Sequence, residues 1–175
     1  DAKLKKVTEV RQQALEALRG ALARGRNTDF TVLEKTLDKA KSVGVNASDV
    51  QQAERKLRIE LEQRLKNAFE PHTMAALNLD ELKGRIDDAK RVGADQRIIL
   101  SATRTHNEVQ QARQDTCSEM AAMQDRETAK IELPTLRSLI NKARDVGVAE
   151  QSVLAAKATL DQVTAAREQA LQKMR

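Results

Sequence analysis

The feature that most constrains the fold of this chain is a sequence pattern that recurs three times. Each copy places an apolar residue, then Leu, then Leu or Ile, then Ala with a Lys or Arg, ahead of a Val-Gly pair. The copies consist of Phe30, Leu33, Leu37, Ala40, Lys41, Val43 and Gly44; of Leu79, Leu82, Ile86, Ala89, Lys90, Val92 and Gly93; and of Leu133, Leu136, Ile140, Ala143, Arg144, Val146 and Gly147. A repeat of this length is typical of an array of similar elements and not of one globular enzyme fold.

The first part of each copy predicts a short amphipathic helix. Leu33 and Leu37 lie four residues apart, and Ala40 follows three residues later, which places all three on one face of a helix. A glycine then suits the left-handed conformation that ends many helices, because it has no Cβ to clash. The residue after each glycine is apolar and is expected to pack one turn back. The pattern therefore predicts helix ends at Gly44, Gly93 and Gly147.

The second part of each copy predicts a longer helix of about 22–28 residues, antiparallel to the short one. The residues expected to cap it are Asn46 or Ser48, Asp95, and Glu150 or Ser152. An arginine recurs twenty positions after each glycine, and the N-terminal segment follows the same register without its glycine. The predicted repeats are residues 1–24, which form the C-terminal half of a repeat, and then 28–70, 78–125 and 132–175.

The composition favours an all-α fold. Strong helix formers dominate the chain, and strand-like runs of β-branched residues between turns are absent. Pro71 and Pro134 both fall at predicted helix boundaries. A short helix cannot cover a long one, so the second half of each long helix is left for the short helix of the next repeat. This predicts antiparallel helical-hairpin repeats (short helix, Val-Gly turn, long helix) in an elongated array, with a compact up-down bundle as the alternative.

The recurring arginine has two interpretations. In a structural role, its aliphatic stem covers apolar surface while its guanidinium group binds a main-chain carbonyl or an acidic side chain. If the arginines align along one face, they can instead contact a polymeric partner repeatedly. The candidates for this partner-contact ladder are Arg11, Arg64, Arg113 and Arg167. The structural interpretation is the favoured one.

The chain is basic overall, with 31 Lys and Arg against 26 Asp and Glu and a net charge of +5. Charges of both signs are interspersed along the predicted helices, which is typical of solvated surfaces. The alternative is a basic patch that binds nucleic acid or another polyanion. The densest basic clusters are Lys3, Lys5 and Lys6, and Arg19, Arg24 and Arg26. Aromatic residues that could stack on bases are nearly absent, and no nucleic-acid-binding motif is found.

Residues that commonly carry catalysis are scarce. Cys117 and His106 are about 16 Å apart along a predicted helix, beyond the reach of a nucleophile and its base. Cys117 stands where other copies have Leu or Ala and is expected to be small and buried, His106 replaces a Leu, and His72 lies in a linker. No metal-ligand spacing or phosphate-binding glycine loop is present. We therefore expect no catalytic, cofactor-binding or metal-binding residue, no cofactor and no enzymatic activity.

A single cysteine excludes an intrachain disulfide and fits a reducing compartment. No apolar run approaches the roughly 18 residues that a membrane-spanning helix needs, and the apolar faces lack aromatic anchors, so membrane insertion is not expected. The chain starts with Asp1 instead of Met and opens in the middle of a repeat, which favours a piece of a longer array. A cytoplasmic location is expected.

The pattern Leu-x3-Leu/Ile-x2-Ala-Lys/Arg-x-Val-Gly-Val/Ala is followed after four residues by Val/Ile-x2-Ala-x3-Leu. Together they resemble the degenerate helical-hairpin repeats of large protist and algal proteins, including ciliary and cytoskeletal ones. The resemblance covers nearly the whole chain and departs from the pattern at His106, which replaces the final Leu of the second copy. It implies a structural or scaffolding role and a cytoskeletal or ciliary location, and it transfers no catalytic residue.

The repeats therefore predict a structural or scaffolding segment that binds a protein partner or acts as a spacer. The alternative function is a basic helical module that binds nucleic acid or another polyanion. The half-repeats at the two ends leave apolar stripes that a second copy of the chain can cover, so a homodimer is also open.

Overall fold

The structure is a computed structural model that describes residues 2–23, 30–70 and 72–174. Within these residues the regular structure is helical and no strand occurs, which confirms the predicted all-α fold. Some sequence predictions lie outside the described residues: those for the linker at 24–28, Pro71 and the terminal residues Asp1 and Arg175.

Seven α-helices and one 3-10 helix follow one another along the described chain. They are α1 (Ala2–Ala23), α2 (Phe30–Ser42), α3 (Ala47–Phe69), α4 (Leu79–Arg91), α5 (Gln96–Gln124), the 3-10 helix (Thr128–Lys130), α6 (Leu133–Val146) and α7 (Glu150–Lys173). Short and long helices alternate: α2, α4 and α6 have 13, 13 and 14 residues, whereas α1, α3, α5 and α7 have 22, 23, 29 and 24. A short helix thus leaves much of a long one uncovered.

Each short helix is followed by a turn at the glycine of its copy. Gly44, Gly93 and Gly147 have φ angles of 70°, 66° and 75°, in the left-handed region that glycine adopts at little cost. The amide after each glycine donates to the carbonyl group five residues back, which otherwise lacks a donor at the helix end. These bonds join Val45 N to Ala40 O (2.9 Å), Ala94 N to Ala89 O (3.0 Å) and Val148 N to Ala143 O (2.8 Å).

The long helices that follow these turns have side-chain caps in two of three cases. The side chains of Asn46 and Asp95 each accept a hydrogen bond from the backbone amide two residues on, at 3.1 and 2.8 Å, which satisfies an amide at the helix start. The third prediction, Glu150 or Ser152, is wrong. The turn places Ala149 at the cap position of α7, and alanine has no side-chain oxygen with which to accept a bond.

The chain forms two compact units. Unit 1 contains Asp1–Lys66 and Arg85–Ile99, and unit 2 contains Asn67–Gly84 and Leu100–Arg175. The divisions in the sequence fall inside α3, α4 and α5, so each of these helices contributes residues to both units. Each unit has a cluster of buried apolar side chains of its own.

In unit 1 the buried cluster joins the second half of α1, the whole of α2 and the first part of α3. It consists of Leu18, Ala21, Leu33, Leu37, Ala40, Ala53, Leu57 and Leu61. Ala40 and Ala53 are almost completely inaccessible to solvent, and their small side chains suit places where helices approach closely. Burial of this apolar surface is the main contribution to the stability of the unit.

In unit 2 the corresponding cluster joins the end of α5, the whole of α6 and the first part of α7. It consists of Met120, Met123, Ile131, Leu136, Ile140, Ala143, Val153, Ala156 and Val163. The order of elements is the same as in unit 1. Val163 is the last buried residue of α7. Leu171 and, just beyond the helix, Met174 are 62% and 82% exposed, whereas Met120, at the same repeat position as Met174, is buried.

Candidate functional site

The repeated arginines lie on the long helices: Arg11 on α1, Arg64 on α3, Arg113 on α5 and Arg167 on α7. Among the described contacts, Arg11, Arg113 and Arg167 donate hydrogen bonds to main-chain carbonyl groups that are 32–39 residues away in the sequence. A guanidinium group suits this role because it stays charged and carries five N–H donors in a planar fork. We call each such arginine, with the carbonyl groups that it binds, an arginine site.

The Arg113 site, in unit 2, binds two separate segments of backbone. The Nε of Arg113 donates to Val146 O at 2.7 Å, and its Nη2 donates to Met74 O at 2.7 Å and to Leu77 O at 2.8 Å. Val146 is the last residue of α6, where carbonyl groups lack intrahelical donors and the helix dipole favours a positive charge. Met74 and Leu77 belong to the loop before α4. Arg113 therefore holds a helix end and a loop at the same point on α5.

The loop at the Arg113 site also lies against the turn at Gly147. A Cβ atom added to Gly147 would come within 2.8 Å of Ala75 O and 2.9 Å of Ala75 Cα, which is too close for a carbon atom. Leu77 in this loop is 4% exposed, and Val109, one helical turn before Arg113 on α5, is 1% exposed. Glycine is thus required at this turn for two reasons: its φ angle is left-handed, and the loop leaves no room for a Cβ atom.

The Arg167 site, also in unit 2, binds a loop in the same manner. The Nη2 of Arg167 donates to Ile131 O at 2.6 Å, with longer bonds to Ala129 O at 3.4 Å and Thr128 O at 3.5 Å. This loop precedes α6 and lies 54 positions after the loop before α4, and the two arginines are separated by the same 54 positions. Ile131 is buried, as Leu77 is in the other loop. The two loops are therefore bound alike.

The Arg11 site, in unit 1, contains a carbonyl group at a helix end, and no loop carbonyl group among the described residues. The Nε of Arg11 donates to Val43 O at 2.8 Å, just before the turn glycine, as Arg113 does in unit 2. Among the described residues, Val43 provides the one acceptor that binds the Arg11 guanidinium group. A Cβ atom added to Gly44 would first meet the Arg11 side chain, 3.1 Å from Nη2. The loop that completes the Arg113 site precedes its arginine by 36–39 positions, a separation that from Arg11 reaches beyond residue 1.

An apolar groove lies next to the Arg11 site. It has a volume of about 420 Å³ and is lined by Lys3, Lys6, Val7, Val10 and Val43, and we call it the Arg11 groove. Val7 and Val10 are 48% and 37% exposed. Val109 holds the repeat position of Val7 in unit 2 and is buried there. Val7 and Val109 therefore share a repeat position but differ in exposure.

Arg64 has an acidic partner on its own helix. Its Nε lies 3.5 Å from Glu60 Oε1, one helical turn earlier, and its side chain is half-buried. The guanidinium groups of Arg11, Arg113 and Arg167 are bonded to the protein's own backbone, which is the geometry that the structural interpretation describes. Contact of the four arginines with a polymeric partner stays a prediction.

The structure describes the single cysteine and both histidines of the chain. Cys117 is a half-buried free thiol on α5, and His106 is a half-buried residue whose Nδ1 lies 3.2 Å from Asn107 Oδ1. His72 is exposed. Within residues 2–23, 30–70 and 72–174, no group of three or more His, Cys, Asp or Glu side chains is positioned to hold a metal ion.

The two basic clusters of the sequence differ in their surroundings. Lys3, Lys5 and Lys6 are all exposed in the first turns of α1. In the other cluster, Arg19 forms a salt bridge of 3.0 Å with Asp49, and Arg24 and Arg26 lie outside the described residues. The charge of the first cluster is thus fully presented to solvent.

One charged pair in unit 1 affects a pKa. Lys41 Nζ lies 2.9 Å from Glu54 Oε1. This hydrogen bond raises the pKa of Lys41 above its usual value of 10.5, while partial burial acts in the opposite direction and the charges of Glu54 and Asp38 act in the same direction as the bond. Both side chains are nearly half exposed, so the pair belongs to the surface and contributes little to stability.

The loops are the part of the arginine sites that the sequence patterns above do not include. Their signal is nevertheless present in the sequence, because Ala75 and Leu77 recur as Ala129 and Ile131, 54 positions later. Apolar residues that recur inside a polar linker indicate a contact, because a solvated linker does not need them.

The helices that present these sites are amphipathic. No helix among the described residues is both long and apolar enough to cross a membrane. No protein-family model, curated protein or solved structure matches the chain.

Proposed function

We propose that this chain is a segment of an α-helical repeat scaffold that binds a protein partner or acts as a spacer between partners. Its repeats are antiparallel hairpins of a short helix, a Val-Gly turn and a long helix. One observation carries the proposal: units 1 and 2 contain the same buried cluster, built from the end of one long helix, a short helix and the start of the next long helix.

The way in which the long helices contribute to the two buried clusters supports an array of repeats. The second half of α1 and the first part of α3 contribute to the cluster of unit 1, and the second half of α5 and the first part of α7 contribute to that of unit 2. If each long helix serves its own repeat with one half and the following repeat with the other, repeats can be added without a new kind of contact. A scaffold of adjustable length needs this property.

The arginine sites add a second line of support. Hydrogen bonds to a charged group are directional and strong, so an arginine that binds the turn of a short helix defines how the two elements are placed. Arg11 and Arg113 make this bond with the same atom, Nε, to the same carbonyl position. Defined spacing between elements is what a scaffold or spacer requires.

We further propose that the array is elongated, with the compact up-down bundle as the alternative. A compact chain of this length has a radius of gyration of about 16 Å. Small-angle X-ray scattering of the purified chain is expected to give a clearly larger value. A value close to that of a compact chain would favour the bundle.

The proposed location is the cytoplasm, in a cytoskeletal or ciliary structure. It is supported by the single cysteine and by the resemblance to helical-hairpin repeats of protist and algal proteins. Fluorescence microscopy of the tagged parent protein in its source cells tests this, and a secreted or membrane-bound pattern would contradict it.

Affinity capture from an extract of the source cells tests the function. The full chain serves as bait and is washed at rising salt concentration, with and without nuclease, beside an unrelated helical protein of equal net charge. A protein retained specifically at high salt after nuclease treatment is the expected result. A bait that retains nothing would favour the spacer over the partner-binding scaffold.

Binding of a polyanion is the second candidate function, and the exposed cluster of Lys3, Lys5 and Lys6 favours it. Affinity for an oligonucleotide would then fall steeply with salt, because bound lysines release counterions from the phosphates. Fluorescence polarisation with a labelled oligonucleotide measures this. Weak binding that does not respond to salt removes this candidate.

A further inference from the structure

We propose that a groove between α2 and α3 in unit 1 binds a helical segment of a partner protein that carries two acidic side chains one turn apart. Arg55 and Arg58 of α3 receive the two carboxylates. We call this surface the α2–α3 groove; it is lined by α2, by α3 and by Arg91 and Val92, where α4 ends. The site rests on the scaffold function proposed above and describes the chemistry of one partner.

The α2–α3 groove is a polar surface above the core of unit 1. Its lining residues run from Glu34 to Val92, and its volume is about 800 Å³, within the range of about 300–1,000 Å³ that is usual for ligand sites. Leu37 and Leu57 line it but are buried in the core, so most of the surface that the groove presents to solvent is polar. The groove therefore suits a charged occupant better than an apolar one.

The acidic side chains of the groove already face cations. Glu34 Oε1 lies 3.2 Å from Arg91 Nε, and Glu54 Oε1 lies 2.9 Å from Lys41 Nζ. The charge of Asp38 also acts on Lys41 and helps to raise its pKa. Arg91 and Lys41 are thus neutralised by the groove's own carboxylates and are not free to bind those of a partner.

Arg55 and Arg58 are cations of the groove that have no such partner. Among the residues that the structure describes, neither side chain forms an ion pair or a hydrogen bond. They are three positions apart on α3, which places them on one face with Cβ atoms about 5–6 Å apart. Each guanidinium group can bind a carboxylate through two parallel N–H···O bonds. Two acidic residues one turn apart on a partner helix have the matching spacing.

The pair of arginines does not recur in the other repeats. The equivalent positions hold Arg104 and Asn107 on α5, and Ala158 and Asp161 on α7. Arg104 also differs in having an acidic partner, Glu108, at 3.6 Å. Residues that the packing of a repeat requires do recur, as Leu37 does in the form of Ile86 and Ile140. The fold therefore does not require Arg55 and Arg58, and they are available for a contact that is specific to this repeat.

The acidic residues of the groove disfavour a continuous polyanion. Glu34, Asp38 and Glu54 line the same groove as the two arginines, and the closely spaced phosphates of a nucleic acid would come near them too. Like charges brought together in this way select against the wrong partner. A helix with two carboxylates and otherwise neutral side chains can reach the arginines without meeting this repulsion.

Two synthetic peptides test the proposal on the full chain. Both are alanine-rich and about 16 residues long, so that a helix can form in water, and both carry two glutamates. The glutamates are four positions apart on one face in the first peptide and two positions apart, on different faces, in the second. Two-dimensional NMR of the ¹⁵N-labelled chain follows the Nε–H groups of Arg55 and Arg58 and the amide of Val92. We expect saturable shifts below about 1 mM for the first peptide and a dissociation constant about fivefold higher for the second.

Substitutions in the full chain locate the site. Arg55→Glu combined with Arg58→Glu is expected to raise the dissociation constant of the first peptide about tenfold or more. A peptide with two lysines in place of the glutamates is expected to bind this variant instead. Both arginines are exposed, so the chain is expected to stay folded, as circular dichroism can verify. Arg97→Glu combined with Arg104→Glu changes the net charge equally, at exposed positions of α5 outside the groove, and is the matched control with unchanged binding.

Three results would overturn the proposal. Absence of saturable shifts, equal binding of the two peptides, or an equal loss in the control variant would leave no role for the spacing of Arg55 and Arg58. Displacement of the first peptide by an oligonucleotide of the same charge would assign the groove to a polyanion. The third result is a partner captured from extract equally by the unaltered chain and by the Arg55→Glu, Arg58→Glu chain. It would support the scaffold function and place the partner elsewhere, so the two proposals can fail separately.

Discussion

The Arg113 and Arg11 sites have an arginine at the same repeat position, and among the described residues Arg113 binds a helix end and a loop whereas Arg11 binds a helix end. At Arg113 three carbonyl groups accept bonds, and Val109 beside it is 1% exposed. At Arg11 one carbonyl group accepts a bond, and Val7, the counterpart of Val109, is 48% exposed. Both arginines thus bind the carbonyl group before a turn glycine, and the two further acceptors of Arg113 lie 36–39 positions before it, a separation that from Arg11 reaches beyond residue 1.

Substitution of the turn glycines tests this difference with the largest expected effect. Gly147→Ala is expected to destabilise the protein by about 3–4 kcal/mol, because it combines an unfavourable φ with a clash against Ala75 O. Gly93 has a similar φ but open space around an added Cβ, so Gly93→Ala is the matched control, with a loss of about 1–2 kcal/mol. Urea unfolding followed by circular dichroism measures the free energy of unfolding of both variants. Equal losses would show that the loop does not lie close enough to the Gly147 turn to clash with a Cβ atom.

Truncation of the apolar side chains is expected to have the next largest effect. Leu77→Ala removes a buried side chain from the loop at the Arg113 site and should cost about 2–4 kcal/mol. Val7→Ala acts on the half-exposed side chain at the Arg11 site and should change the unfolding free energy by less than about 0.5 kcal/mol. Thermal unfolding compares the two variants. A small loss for Leu77→Ala would mean that the loop contributes little to unit 2.

Replacement of the arginines compares the two sites directly. Arg113→Gln leaves three carbonyl groups without their donor and is expected to cost about 2 kcal/mol, whereas Arg11→Gln affects one carbonyl group and should cost about 1 kcal/mol or less. Arg113→Lys should recover little, because one ammonium group cannot reach both segments in the geometry of the planar fork. Hydrogen exchange of the amides near Gly147 provides the measurement, and full recovery by Lys would contradict a two-segment contact.

The smallest expected effect belongs to a surface pair and provides a baseline for the others. Lys41→Gln removes the pair with Glu54 and should change the unfolding free energy by about 0.5 kcal/mol at most. The pKa of Lys41 is raised in the folded protein, so the contribution of the pair is fully present below the unfolded value of 10.5 and is lost as the pH rises through the higher folded value. Unfolding curves of both proteins should therefore converge in strongly alkaline solution, and a difference that grows with pH would contradict the assignment.

The helical fold can be predicted from the sequence because its signals are local. The spacing of Leu33, Leu37 and Ala40 describes one helix face within eight residues. A cap is less predictable, as Ala149 shows, because the turn before α7 puts alanine at the cap position although Glu150 and Ser152 are close by. The helix forms without the cap because packing of its apolar face outweighs one missing hydrogen bond.

The arginine sites could be predicted only in part. The register identifies Arg11 and Arg113 as equivalent, and carbonyl binding is one of the roles that a partly covered arginine can take. Their acceptors are 32–39 residues away, and no local pattern indicates which carbonyl groups come within reach. The loop carbonyl groups that bind Arg113 and Arg167 lie 36–39 positions before each arginine, so this part of the contact follows the repeat spacing once one example is known.

The short span of these bonds has a consequence for the way in which the protein folds. Each hydrogen bond of the arginine sites joins residues no more than 39 positions apart, less than the 54 positions between Gly93 and Gly147. Each such bond therefore needs only a stretch of chain shorter than that interval. On the ribosome, each site can close once its own residues have emerged, so the protein can fold progressively from its N-terminal end while synthesis continues.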